Sequence, residues 1–164
     1  MPDRNRLSRT VHRLDKLPTG LRQTLITWIF GGAVHFVRTT GLLFEELSEE
    51  RAVLIVQNRR RVQNHIGTVH AAAVALLGET ATGAVFGMSV PDDKFPVLKS
   101  MRINYLKRSE GGLRAEATLP AEVCARFTIE QKGELAVPVK ITDKTGEPTV
   151  ECEYVWAWRP KKKS

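Results

Sequence analysis

The sequence predicts an α+β domain in which a curved antiparallel sheet of about six strands wraps one long apolar helix, with an extra helix ahead of both. Three observations predict it. From Val69 to Pro91 the chain is apolar and rich in small residues, with a single formal charge at Glu79. Downstream of it, apolar residues recur with period two, the pattern of strands that bury one face. Upstream, two extended stretches meet at a short polar connection, in the manner of a hairpin. A helix apolar around its whole circumference needs cover on all sides, and strands with one apolar face each supply it.

The elements follow in order. Residues 1–17 are basic and read as a poorly ordered N-terminal segment. Pro18-Thr19 opens a helix over 18–33 that carries Leu21, Leu25, Trp28 and Ile29 on a shared face and stops at Gly31-Gly32. The main domain spans 34–159, beginning with extended stretches at Val34 to Glu46 and Arg51 to Asn58, joined by Leu47-Ser48-Glu49-Glu50. Ala52 to Val56 is apolar throughout and reads as buried on both faces. Thr68 is placed to cap the long helix, and Gly78, Gly83 and Gly87 let a sheet approach it closely.

After the helix come the stripe Val97, Met101, Ile103, Tyr105, a turn at Gly111-Gly112, and a strand in which Leu113, Ala115, Ala117 and Leu119 alternate with Arg114, Glu116 and Thr118. Leu135, Val137, Val139 and Ile141 form the next strand, with Pro138 at an edge or bulge. An Asp143-Lys144-Thr145-Gly146 turn leads to the last strand, striped by Val150, Cys152, Tyr154, Trp156 and Trp158, and residues 160–164 are a basic tail.

Composition narrows the function classes. A chain of 164 residues with 42% hydrophobic and 26% charged residues makes one domain whose core needs neither disulfide nor metal to hold it. Cys124 and Cys152 are far apart and lack Cys-x-x-Cys spacing, so no zinc site or disulfide framework is indicated and a reducing cytoplasm is the expected compartment. The net charge of +7 sits at the ends of the chain, in Arg4, Arg6, Arg9, Arg13, Lys16 and Arg22 and in Arg159 and Lys161 to Lys163. No nucleic-acid-binding pattern accompanies it, and no nucleic-acid partner is expected. Leu25 to Val37 follows a basic leader as a signal peptide would, but Gly31-Gly32 and His35 interrupt it and no cleavage site follows. Val69 to Pro91 is long enough to cross a bilayer, yet its Glu, threonines and glycines point to a buried core helix and not to a membrane span.

Glu79 is the residue that asks for a function. An unpaired charge in an apolar setting costs several kcal/mol, so such a group is paired, shifted in pKa, or kept for chemistry. The stretch Asn64-His65-Ile66-Gly67-Thr68-Val69-His70-Ala71-Ala72, followed by Leu77-Gly78-Glu79, resembles the Asn-x-x-Gly-x-Val-His-Gly-Gly signature of hotdog-fold acyl-CoA thioesterases with their acidic residue nine positions after the His. Asn58-Arg59-Arg60-Arg61-Val62-x-Asn64-His65 and Glu79-Thr80-Ala81-Thr82-Gly83 are similar to an uncharacterised hotdog family grouped with the thioesterases, over about residues 34 to 158.

The resemblance implies a homodimer joined edge to edge, or a tetramer built from it, with an acyl-CoA or related thioester as substrate and no further cofactor and no metal. Thioester hydrolysis needs a base or nucleophile, donors for the developing oxyanion, and exclusion of bulk water. Glu79 is the expected base or nucleophile, and the Ala71 N–H, at the positive end of the helix dipole, the oxyanion donor. Asn64 and His70 are expected in support, by orienting water or the carbonyl and by holding the loop. Thr82 and Gly83 are expected beside the substrate, and Arg59, Arg60, Arg61, Arg102, Lys107 and Arg108 near the CoA phosphates.

Two positions depart from the pattern: Ala71-Ala72 replaces Gly-Gly and narrows the approach to the amide, and Gly83 replaces a hydroxyl residue. Both favour the alternative function, a non-catalytic acyl-CoA or fatty-acyl binding protein of the same fold. A dehydratase would need an Asp and His pair in a spacing that is absent here.

Overall fold

The computed structural model describes residues 4–161. Five helices and seven strands follow one another as α1 (Arg6–Arg13), α2 (Thr19–Ala33), α3 (His35–Thr40), β1 (Leu43–Leu47), β2 (Arg51–Val56), α4 (Ala71–Ser89), β3 (Lys94–Tyr105), β4 (Leu113–Thr118), α5 (Ala121–Ile129), β5 (Gly133–Ala136), β6 (Val139–Asp143) and β7 (Val150–Pro160). The strands form two antiparallel sheets, in the orders β1-β2-β4-β6 and β3-β7-β5. Both pack on α4, the helix expected from the Val69 to Pro91 stretch. This is the hotdog arrangement, with seven strands where about six were expected.

The period-two stripes explain how the sheets hold the helix. Opposite residues of an antiparallel pair share a face, so Leu54 with Ala115 and Ala52 with Ala117 present one apolar surface to α4. Across the second sheet, Tyr154 reaches Gly78 so closely that a Cβ there would lie 2.4 Å from its hydroxyl, and Trp156 reaches Gly83 within 2.7 Å of such a Cβ. The Tyr154 hydroxyl donates to the Ala75 carbonyl at 3.0 Å, and Trp156 Nε1 donates to Thr82 Oγ1 at 2.9 Å. The two glycines are therefore where aromatic rings meet helix backbone, and eleven residues of α4 are buried.

Several expectations need correction. The segment 1–17 is not poorly ordered over its described part: Arg6–Arg13 is helical and docks on the end of α4. Three of its basic residues have acidic partners in the core domain. Arg9 pairs with Asp92 at 3.1 Å, Arg4 and His12 with Glu49 at 3.4 and 2.8 Å, and Val11 inserts into the core. Asn5 caps α1 by accepting from Ser8 N–H, and its Nδ2 donates to the Gly87 and Val90 carbonyls at the C-terminus of α4. One side chain thus closes two helix ends. Replacing Asn5 by Ala is expected to cost about 1–2 kcal/mol, read as a lower urea midpoint and faster amide exchange in α1. The tail expected at 160–164 is partly strand, since Pro160 closes β7; residues 1–3 and 162–164 lie outside the described part.

Helix α2 runs through Gly31-Gly32 to Ala33, and its buried residues are Ile26 and Gly31, while Leu21 and Trp28 are exposed. It covers the outer edge of β1: Thr27 Oγ1 accepts from Phe44 N–H, and Gln23 donates to the Glu45 carbonyl. The stretch 34–46 divides into α3 and β1, turned by Gly41 at φ +71°. The strand expected at 135–141 is two strands in different sheets, separated at Val137-Pro138, because Pro has no N–H to continue a ladder. Helix α5 lies between β4 and β5, where no helix was expected.

In β3 the register slips between Leu98 and Ser100. That bulge puts Val97 on the opposite face from Met101, Ile103 and Tyr105, so the expected single stripe is broken in two.

Candidate active site

The loop from Asn58 to His70 brings the chain from β2 to the start of α4. Asn64 shapes it: Oδ1 accepts from the N–H groups of Ile66 and Thr68 at 3.1 Å each, and Nδ2 donates to Thr68 Oγ1 at 2.8 Å. Gly67, at φ +77°, makes the turn that this requires. Asn64 therefore braces the loop with most of its hydrogen-bonding capacity. His70, not Thr68, is the N-cap of α4: its Nδ1 accepts from Ala72 N–H at 3.0 Å, which leaves Nε2 facing outward.

With Ala72 N–H satisfied by the imidazole, the Ala71 N–H makes no hydrogen bond among the described residues. It is exposed at the positive end of a 19-residue helix. The Tyr105 hydroxyl donates to the Ala71 carbonyl at 3.0 Å and fixes this end of α4 against β3. Sequence reasoning missed Tyr105 as a site residue; its signal was a polar-tipped aromatic closing the β3 stripe.

A cavity of ≈ 290 Å³ opens here, lined by Asn64, Ala71, Tyr105, Lys107 and Arg108 among others. Arg108 donates to the Ile66 carbonyl at 2.9 Å, and Lys107 pairs with Glu147 at 2.5 Å. Of the expected substrate-binding residues, then, the structure brings Lys107 and Arg108 to the N-terminus of α4 beside Asn64 and Ala71.

The others go elsewhere. Arg59 and Arg61 line a different and larger cavity, and Arg60 is exposed and lines neither. Arg102 stands opposite Glu153 on the face of the β3–β7 sheet that points away from α4. Thr82 is buried, donating to the Gly78 carbonyl and accepting from Trp156, and Gly83 is the packing position for the same indole. Both contribute to the packing of α4 against β7.

Glu79 lies on the one half-exposed strip of α4, with Ala75, Leu76 and Gly83. The register that sets Tyr154 against Gly78 places Met101, its neighbour on β3, alongside. Met101 is 53% exposed although it is on the helix-facing side of its sheet, because β3 is the edge strand and overhangs α4. The carboxylate is therefore half-buried on an otherwise apolar helix. Its one side-chain partner among the described residues is the Thr80 hydroxyl, at 3.4 Å, too long for a strong bond. Burial raises its pKa above the ordinary value of 4.5, and the Thr80 hydroxyl opposes this only in part.

Glu79 and Ala71 are not brought together within one chain. Eight residue steps of continuous helix separate them, about 12 Å along the axis at 1.5 Å per residue. One carbonyl group cannot touch both.

The model of the family described as Domain of unknown function (DUF4442) matches residues 22–158. The chain belongs to the DUF4442 family. The DUF4442 match covers the two sheets, α4, the Asn58–His70 loop and most of α2, and α1 precedes it. A Pseudomonas aeruginosa protein of unknown function, named a probable thioesterase, is similar to this DUF4442 chain at 27% identity, with 88% of this chain and 97% of that one covered and a TM-score of 0.76. A Haemophilus influenzae thioesterase shares the fold at 14% identity, covering 78% and 85% of the two chains with a TM-score of 0.62. A mutant thioesterase of P. aeruginosa shares it at 16% identity, covering 77% and 86%, also with a TM-score of 0.62. No curated protein matches the DUF4442 chain.

Proposed function

We propose that this protein hydrolyses the thioester of an acyl-CoA, with Glu79 as general base or nucleophile and the Ala71 N–H as oxyanion donor. The observation that carries the reading is Glu79 itself, a carboxylate without a cation among the described residues, half-buried on an apolar helix and raised in pKa by that burial. As a base it takes a proton from water, whose oxygen attacks the thioester carbonyl. The tetrahedral oxyanion is held by a backbone N–H, the C–S bond breaks, and the proton passes to the departing thiolate. As a nucleophile the carboxylate attacks the thioester carbonyl, the C–S bond breaks to release the thiolate, and water hydrolyses the resulting mixed anhydride to the free acid and the restored carboxylate. Either route needs only this chain's own groups and water. Lys107 and Arg108, beside Ala71, are placed to meet phosphates of the CoA portion.

The separation of about 12 Å between Glu79 and Ala71 is the reason the proposal includes a homodimer, in which the Glu79 of one copy faces the Ala71 N–H of the other. Strand β3 supports this. It is 12 residues long and pairs only with β7, so its outer edge is free among the described residues, and Phe95, Val97, Met101 and Tyr105 are exposed along it. A long apolar edge strand is a template for pairing with another chain.

The test is release of free thiol from a panel of short, long and aromatic acyl-CoA esters, followed by the mass of the protein in solution. Turnover on any class with a dimeric mass is the expected result. CoA esters that bind without thiol release would support instead the non-catalytic binding protein, which the methyl groups of Ala71 and Ala72 at the helix start favour.

A further inference from the structure

A second cavity lies away from Glu79, which is not among its lining residues. It is an open cavity of ≈ 770 Å³ between α2, α3 and the β1–β2 hairpin, and shares no lining residue with the cavity at the start of α4. That volume is ample for one small-molecule ligand. Leu43 and Ile55, paired in register, line it together with Phe44 of the same strand, so the cavity lies along the β1 end of the four-stranded sheet. Ile29 and Trp28 complete an apolar wall, and Trp28 is 79% exposed.

The polar part of the lining is one-sided in charge. Arg38, Arg59 and Arg61 all line the cavity, and none of the three guanidinium groups makes a hydrogen bond or salt bridge among the described residues. The one carboxylate in the lining, Glu45, is paired with Arg114 at 3.1 Å. The remaining polar groups are neutral, including Gln23 and Thr27, which are engaged with the β1 backbone. Arg61 is held in place by the chain around it: Gly41, at φ +71°, leaves room for its guanidinium to lie where a Cβ would come within 1.8 Å of Nη2. Three unpaired arginines in one lining with an apolar wall form a recognition surface for an anion with an apolar tail, since guanidinium binds carboxylate and phosphate bidentately.

We propose that this cavity binds a single-chain amphiphile with an anionic head, carboxylate or phosphate, its tail on Trp28, Ile29, Leu43 and Ile55 and its head on Arg38, Arg59 and Arg61. The site is separate from Glu79 and does not depend on thioester chemistry.

Trp28 supplies the readout. The other two tryptophans, Trp156 and Trp158, are 7% and 0% exposed, so a ligand that covers an exposed indole shifts emission to shorter wavelength through Trp28 alone. Decanoate and decyl phosphate, each kept below its micelle concentration, are expected to give a saturable blue shift, and the tighter of the two identifies the head. Acetate and inorganic phosphate, which lack the tail, are expected to bind at least about tenfold more weakly, as is neutral decanol, which lacks the charge. The triple variant Arg38→Ala, Arg59→Ala, Arg61→Ala changes only exposed side chains and is expected to weaken decanoate or decyl phosphate by about tenfold or more. Trp28→Phe should abolish the optical signal while calorimetry still detects binding. Glu79→Gln should bind both amphiphiles as the unaltered protein does. No saturable shift with either amphiphile overturns the proposal, as do equal binding of decanol, undiminished binding in the triple variant, or binding lost in Glu79→Gln, which would place the ligand at Glu79 on α4.

Discussion

Replacing Glu79 by Gln is expected to reduce thioester hydrolysis by about 10²- to 10⁴-fold, the usual contribution of a positioned base, while leaving CoA-ester binding in place. The same substitution is expected to make the protein more stable at neutral pH. The sign follows from the burial that raises the folded-state pKa of Glu79 above its ordinary 4.5. Below pH 4.5 the carboxyl is protonated in both folded and unfolded chains and carries no penalty. As pH rises from there through the folded-state pKa, the unfolded chain ionises first and the wild-type protein loses stability. Gln does not titrate, so the advantage of the variant is absent below pH 4.5 and grows to full size above the folded-state pKa. Activity runs the other way, because a base or nucleophile must be ionised: the acid limb of kcat/KM is expected above pH 4.5, at the raised value. Thermal melts and rate profiles over the same pH range check both. A variant that keeps its rate removes Glu79 from the chemistry, and one less stable at neutral pH identifies it as a structural carboxylate.

Trp158→Ala is expected to cost about 3–5 kcal/mol, a large part of the roughly 5–15 kcal/mol that holds a domain of this kind together. Trp158 is fully buried, edge-on to Phe127 with ring centroids 4.9 Å apart and 6.3 Å from Phe86, and Arg126 lies over its ring at 5.4 Å. Its Nε1 donates to the Glu130 carbonyl, and buried Lys94 donates to the carbonyls of Phe127 and Glu130, so the C-terminal end of α5 is closed from both sides. Removing the indole leaves a cavity, takes one of its two donors from the Glu130 carbonyl and loosens α5 from β7 together. Chemical denaturation measures the loss. A cost under about 1 kcal/mol would mean that the aromatic cluster of Phe86, Phe127 and Trp158 contributes packing that the surrounding chain can replace.

The parts of the site that could be read from the sequence were those whose signal is local. Glu79 stood out because a charge in an apolar run is anomalous wherever the run folds, and the start of α4 was close because an apolar helix must begin after the last turn-forming residue. The structure moved the cap from Thr68 to His70, a difference of two residues that sets which amide is left free. Asn64 was placed in the right loop, and its bonds to Ile66 and Thr68 give it a bracing role that no spacing could distinguish from a role in binding. The Arg59-Arg60-Arg61 run divided because consecutive side chains leave a turn in different directions, so nearness in sequence to Asn64 did not bring Arg59 or Arg61 to the same cavity.

By itself the sequence determined the fold class, the core helix and the faces of the strands β4 and β7, since period and apolarity are properties of neighbouring residues and survive any tertiary arrangement. Only the tertiary structure decided that the basic N-terminal residues form a docked helix, because Arg9, Arg4 and His12 find their acids at Asp92 and Glu49, dozens of residues away. It also decided that Thr82 and Gly83 serve Trp156, which sits more than seventy positions later. Contacts of that range depend on how two sheets close around α4, and a sequence pattern records which residues want to be buried without recording against what.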